Sequence, residues 1–143
     1  MTAKPTTRIV ALDVGDARIG VAVSDPTLLL ATPFTIVHRK DGNPAGRIAQ
    51  IVQQQASAHL LIGLPKNMDG TIGPQAKKVQ AFSEQLRPLL PGVEIVPWDE
   101  RRTTMEARAN RIIAGKKKNQ RAQAVDAEAA AILLQNYLDY LRR

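Results

Sequence analysis

Four carboxylates carry the most chemical information in this sequence. Asp13 lies inside the apolar run "IVALDV", Asp99 and Glu100 close a second apolar run, and Asp126 lies on a helical stretch near the C-terminus. A charge within a β-strand is costly unless a partner satisfies it. Acids brought together from distant positions repel one another, and a cation relieves that cost. Hard carboxylate oxygens in a chain without cysteine suit Mg2+ or Mn2+. Two such ions can activate a water and stabilise the leaving oxygen of a phosphodiester. Each acid also has a plainer role. Asp13, beside Gly15, could bond turn amides, and Asp99 and Glu100 could be loop acids. Asp126 falls in the first turns of its helix, where the macrodipole favours an acid. The joint arrangement favours a site over these separate roles.

The elements that must position these residues are legible from periodicity. Residues 8–14 and 18–24 are β-rich runs split by the turn "GDA", and a third run covers 33–39. These three form an expected antiparallel meander. The pattern then alternates: a helix in "NPAGRIAQIVQQQAS", a buried strand in "HLLIGLP", a helix in "GPQAKKVQAFSEQLRPLL" and a strand in "VEIVPWDE". Strands alternating with helices imply crossovers and a parallel sheet. Two closing helices are expected, over 104–114 and about 121–141. The first has capping-box spacing in Thr103 and Glu106. In the second, Asp126, Ala130, Leu133, Tyr137 and Tyr140 share one face, with Asp139 on the other. Parallel strands would then bring Asp13 and the Asp99/Glu100 pair to one sheet edge, where open α/β folds place ligands. His38 and His59 read as packing or surface residues, and Trp98 as core packing rather than base stacking.

A length of 143 residues predicts one domain, 1–143, with a flexible N-terminus over 1–7. No stretch is apolar enough to span a membrane and no secretory signal opens the chain, so a cytoplasmic location is expected. The net charge of +7 is unevenly placed. Arg101, Arg102, Arg108, Arg111, Lys116, Lys117, Lys118 and Arg121 face a single acid, Glu106, in the same segment, and the rest of the chain is neutral. Such a block is the footprint of a polyanion site, so nucleic acid is the expected partner. The loop "AGKKKNQRA" within it is the expected mobile segment. A second loop, "GLPKNMDGTIGP", follows a strand and precedes a helix. Its Lys66, Asn67 and Asp69 are expected to border the site, with free N–H groups of the helix start available to a phosphate. A purely structural Gly/Pro turn is the alternative.

The motifs "LDVGDARIGVAVSD", "IGLPKNMDGTIGPQA", "WDERRTT" and "VDAEAAAILLQNYLD" together resemble the YqgF family, also called RuvX. Its members are Holliday-junction-resolvase-like proteins assigned to maturation of the 5′ end of 16S ribosomal RNA. The likeness runs from about Arg8 to Leu141. It implies an RNase H-like fold, a mixed five-stranded sheet flanked by helices, and a metal-dependent nuclease of the bacterial cytoplasm. The catalytic and metal-binding residues it implies are Asp13, the Asp99/Glu100 pair and Asp126. Within the pair Glu100 is preferred for its longer reach, with Asp99 the alternative. In such a sheet the neighbour of the first strand is "HLLIGLP", which has no acid. The second carboxylate must therefore reach back from one strand further out, on the order of 10 Å.

The leading reading is a nuclease acting on a ribosomal RNA precursor, with possible ribosome association. A resolvase cutting branched DNA is the neighbouring one, and symmetric cleavage there favours a homodimer. "DVGDARIG" also resembles the phosphate loop of sugar-kinase and actin-like ATPases, but those bind nucleotide between two such domains. A non-catalytic RNA-binding assembly factor needs only the basic segment.

Overall fold

The computed structural model describes residues 5–100 and 118–143, with side chains of the last helix described from Asp126 onward. The elements are β1 (Ile9–Val14), β2 (Arg18–Ser24), β3 (Ala31–His38), α1 (Pro44–Gln54), β4 (His59–Leu64), α2 (Pro74–Leu86), β5 (Glu94–Asp99) and α3 (Lys118–Leu141). The five strands form one sheet in the order β3-β2-β1-β4-β5. β1 is antiparallel to β2 and parallel to β4, and β5 is parallel to β4. This is the expected mixed sheet, with the meander first and the crossovers after.

Position in the sheet explains the residue choices. β1 and β4 are central and covered on both faces, which suits their near-continuous apolar sequences. β3 is an edge strand, and there Pro33 is tolerated because an edge N–H need not enter a ladder. Pro44 and Pro74 occupy first-turn positions of α1 and α2, where their missing N–H groups cost nothing. Asn43 caps α1 by accepting from the Gly46 N–H at 3.2 Å.

Alternation along the strands divides the core into two layers. Val10, Leu12, Leu60 and Ile62 face Ile48, Val52, Val79 and Phe82 of α1 and α2. Ile9, Ala11, Ala22 and Leu61 face Ala130, Leu134, Tyr137 and Leu138 of α3. Ala11 and Ala22 on the sheet and Ala130 on the helix are the small residues of this layer. At its far end buried His59 meets the Tyr137 hydroxyl at 3.0 Å, and Trp98 packs edge-on against Tyr137. Both residues belong to the core, as their sequence context suggests. Tyr140, expected on the same inward face, is 45% exposed, with its ring packed edge-on against Trp98 at the border of the layer.

The helix expected over 104–114 lies outside the described residues. α3 is helical from its first described residue, Lys118, ahead of the expected Arg121, so the second half of "AGKKKNQRA" is helix. Residues 1–4 of the expected flexible N-terminus also lie outside the described part. Thr7 is tied down, its hydroxyl accepting from the Ala58 N–H at 3.1 Å.

Candidate active site

Asp13 sits one residue before the end of β1, half-buried, with the parity of Ile9 and Ala11, so it projects toward α3. Its neighbours across the sheet are small. Gly20 is its register partner on β2, and on β4 the partner of Leu12, Ile62, is followed by Gly63. The strands on either side of Asp13 thus carry glycine at or next to its level.

Each glycine is required by what approaches it. A Cβ on Gly20 would run into the backbone carbonyl of Asp126, so the glycine is what lets α3 rest against β2 at this height. A Cβ on Gly63 would lie 2.6 Å from Glu100 Oε1 and would collide with Leu133 Cδ1. The carboxylate of Glu100 thus lies over β4 in the space where a side chain would otherwise stand. Glu100, one strand further out than β4, comes back as far as Gly63, a residue that has no side chain.

The pair at the end of β5 is divided by alternation. Trp98 faces the α3 layer, and Asp99, its successor in the strand, faces the opposite side in register with Leu64. Glu100 is the member that meets Gly63 on the Asp13 side. Asp126 also comes to this side, on α3. Its Oδ2 accepts from Arg18 Nε at 2.6 Å, an ion pair linking the start of β2 to the last helix. Arg18 shares the parity of Gly20 and Ala22, so it too projects toward α3. Arg18 and Gly20 were not singled out by the sequence alone, and Gly63 only as a loop glycine. The signal for the first two was the alternation R-x-G-x-A, facing the acid of the preceding strand.

Hard oxygens from Asp13, Glu100 and Asp126 on one face suit a hard divalent cation in donor type. Among the described residues no three His, Cys, Asp or Glu side chains stand close enough to hold such an ion in this arrangement. Asp126 is engaged by Arg18 instead.

The hairpin beside Asp13 closes on its own backbone, with Gly15 N–H donating to the Arg18 carbonyl at 2.9 Å. Arg39 anchors the same turn, its Nε donating to the Gly15 carbonyl at 2.9 Å while its guanidinium lies over the Phe82 ring. Together with Lys78 and Gln75 it lines a cleft on the α2 side of this edge. The loop after β4 is internally braced. Asn67 Nδ2 donates to Thr71 Oγ1 at 2.9 Å, and the Asp69 carboxylate accepts from the Thr71 hydroxyl and N–H at 2.6 and 3.0 Å. These side chains brace the turn, and Asn67 packs on Gly73 at the start of α2. Lys66 is half-buried at the base of the loop. Of the basic block, Arg101 to Lys117 lie outside the described residues, and Lys118 and Arg121 fall in the first turns of α3.

Comparison with known proteins agrees with this architecture. A family model described as "RuvX: Holliday junction resolvase" matches residues 7–140. A relative from Roseiflexus sp. (strain RS-1), named "Putative pre-16S rRNA nuclease", is 44% identical over 136 residues, covering 94% of this chain and 96% of its own. One of the same name from Ruegeria pomeroyi is 40% identical over 139 residues, covering 96% and 90%. Among solved structures, T. thermophilus RuvC in complex with Holliday junction substrate superposes with a TM-score of 0.61 at 13% identity, over 94% of this chain and 96% of that one. That likeness is one of fold, and the mixed five-stranded sheet is RNase H-like. The chain belongs to the RuvX family, a family of nucleases.

Proposed function

We propose that this chain is a single-domain, divalent-metal-dependent nuclease that hydrolyses phosphodiester bonds of a ribosomal RNA precursor, in maturation of the 5′ end of pre-16S RNA. The observation that carries the reading is the pair of glycines beside Asp13. A Cβ at Gly20 would meet the backbone carbonyl of Asp126, and one at Gly63 would meet Leu133 and the carboxylate of Glu100, so the two glycines admit α3 and Glu100 beside Asp13. Sequence relatives that share nearly the whole chain and carry a pre-16S rRNA nuclease name support the substrate class.

In this reading Asp13, Glu100 and Asp126 hold the metal, Mg2+ or Mn2+, and Asp99 stays apart from it. The bound ion supplies a water activated at neutral pH and neutralises charge at the leaving oxygen. The rigid central strand fixes Asp13, and the close packing of α3 on Gly20 fixes the height of Asp126. Arg101, Arg102, Arg108, Arg111, Lys116, Lys117, Lys118 and Arg121 supply phosphate contacts that position the strand without reading its sequence. Action on precursor RNA places the protein in the cytoplasm and in transient contact with assembling ribosomes. No helix among the described residues is long and apolar enough to cross a membrane.

A second reading, a homodimeric resolvase of branched DNA, is favoured by the description of the matching family model and by the RuvC likeness in fold. One assay separates them: cleavage of end-labelled precursor-like RNA, duplex DNA and a four-way junction with Mg2+, Mn2+ or EDTA, wild type beside Asp13→Asn and Asp126→Asn. Metal-dependent cutting of RNA that both variants lose, with binding retained, supports the first reading. Preferential junction cutting by a dimer supports the second. Tight RNA binding with no cutting under any metal would overturn the enzyme assignment.

A further inference from the structure

We propose that Arg18 is the resident counter-cation of Asp126, which a divalent ion displaces on binding, and that the released guanidinium then takes a phosphodiester oxygen of the substrate. This rests on the metal-nuclease reading above.

Three observations carry it. First, the contact is direct and short: Arg18 Nε to Asp126 Oδ2 is 2.6 Å, at the tight end of charge-assisted hydrogen bonds. The lone pairs of Asp126 that a cation needs are therefore shared with a guanidinium. Second, the pair is accessible, with side chains 34% and 25% exposed, so solvent screens it and exchange is cheap. A fully buried pair would hold its partners far more stubbornly. Third, Arg18 is the first residue of β2, directly after the hairpin turn, on the Asp13 face and at the same edge of the sheet. A guanidinium leaving Asp126 stays within the site because its backbone is held in the sheet ladder.

The chemistry of the exchange is balanced. Arg keeps its charge at every working pH, and its planar fork fits carboxylate and phosphate alike. When a divalent ion arrives, Asp126 trades one cation for another, and the guanidinium trades carboxylate oxygen for phosphodiester oxygen. Before the ion arrives, Arg18 offsets the repulsion among acids on this face. Arg18 is thus a positioning residue in the metal-free protein and a substrate contact in the loaded one.

The test is Mn2+ titration of the full chain by calorimetry, comparing wild type, Arg18→Gln, Arg18→Lys and Arg39→Gln. Removing the competitor should tighten Mn2+ binding by Arg18→Gln roughly threefold to tenfold, the scale of a part-exposed ion pair. Arg39→Gln removes a cation anchored on the same turn but not paired with Asp126, and should leave the affinity unchanged. At saturating Mn2+, cleavage by Arg18→Gln should fall roughly tenfold or more, because a phosphate contact is lost, with partial recovery in Arg18→Lys. If Arg18→Gln fails to fold, Arg18→Lys carries the comparison, since an ammonium makes a looser pair and Mn2+ should still bind more tightly than to wild type. Equal or weaker Mn2+ binding by the Arg18 variants overturns the proposal, as does equal tightening in Arg39→Gln, which would reduce the effect to the general field. Absence of Mn2+ uptake by wild type would instead overturn the metal reading on which the proposal stands.

Discussion

Glu100 Oε1 lies 2.6 Å from the point where a Cβ of Gly63 would stand. A carboxylate just past the end of the outermost strand thereby lies over the neighbouring strand β4. Gly63→Ala should push Glu100 off this path and collide with Leu133, so two losses are expected together. Overpacking of this kind costs about 1–3 kcal/mol, and cleavage should drop further than stability does. Urea unfolding beside a cleavage assay checks it. Full activity in a destabilised variant would show that Glu100 has no need of this approach.

Strand alternation separates the adjacent acids of β5, and their variants should separate too. Glu100→Gln should lose cleavage by roughly a hundredfold or more, on the scale of removing a group that stabilises transition-state charge. Asp99→Asn should stay close to wild type, because Asp99 is in register with Leu64 and faces the other layer. Single-turnover cleavage rates at saturating metal make the comparison. Reversal of the order would reassign the ligand to Asp99.

Replacing Lys116, Lys117 and Lys118 together by Gln should weaken RNA binding and flatten its salt dependence. Three lost phosphate contacts reduce the slope of log K against log salt by about 2 for a single strand. Filter binding across a salt series reads the slope. A changed cleavage position with unchanged slope would remove these lysines from the backbone contacts.

Stability should depend on pH through His59. Burial holds its pKa below the ordinary 6.5, against the opposing influence of Glu94, whose carboxylate is 3.7 Å from Nδ1. The unfolded chain takes up the proton first as pH falls, so the contribution is complete above about 6.5 and is lost on going lower. The melting temperature should therefore decline between about pH 8 and about pH 5.5, and His59→Gln should reduce that slope while lowering the starting value. An unchanged slope in the variant would place the titrating group elsewhere.

Much of this was written locally. Val, Ile and Leu runs of strand length, Pro44 and Pro74 at helix starts, and a continuous apolar helix at the C-terminus determine the elements and their order, because each depends on neighbours a few residues away. The motif likeness located three of the acids for the same reason. What the sequence could not decide is what surrounds each of those acids. Whether Asp99 or Glu100 turns toward Asp13 depends on the phase of β5 relative to a helix that begins at Lys118. Why positions 20 and 63 hold glycine depends on the carbonyl of Asp126, the side chain of Leu133 and the carboxylate of Glu100, contacts made between elements distant in sequence. The engagement of Asp126 by Arg18 joins residues 108 positions apart. Local propensity carries no information about such contacts, since they follow only once strand order and helix packing have set the distances.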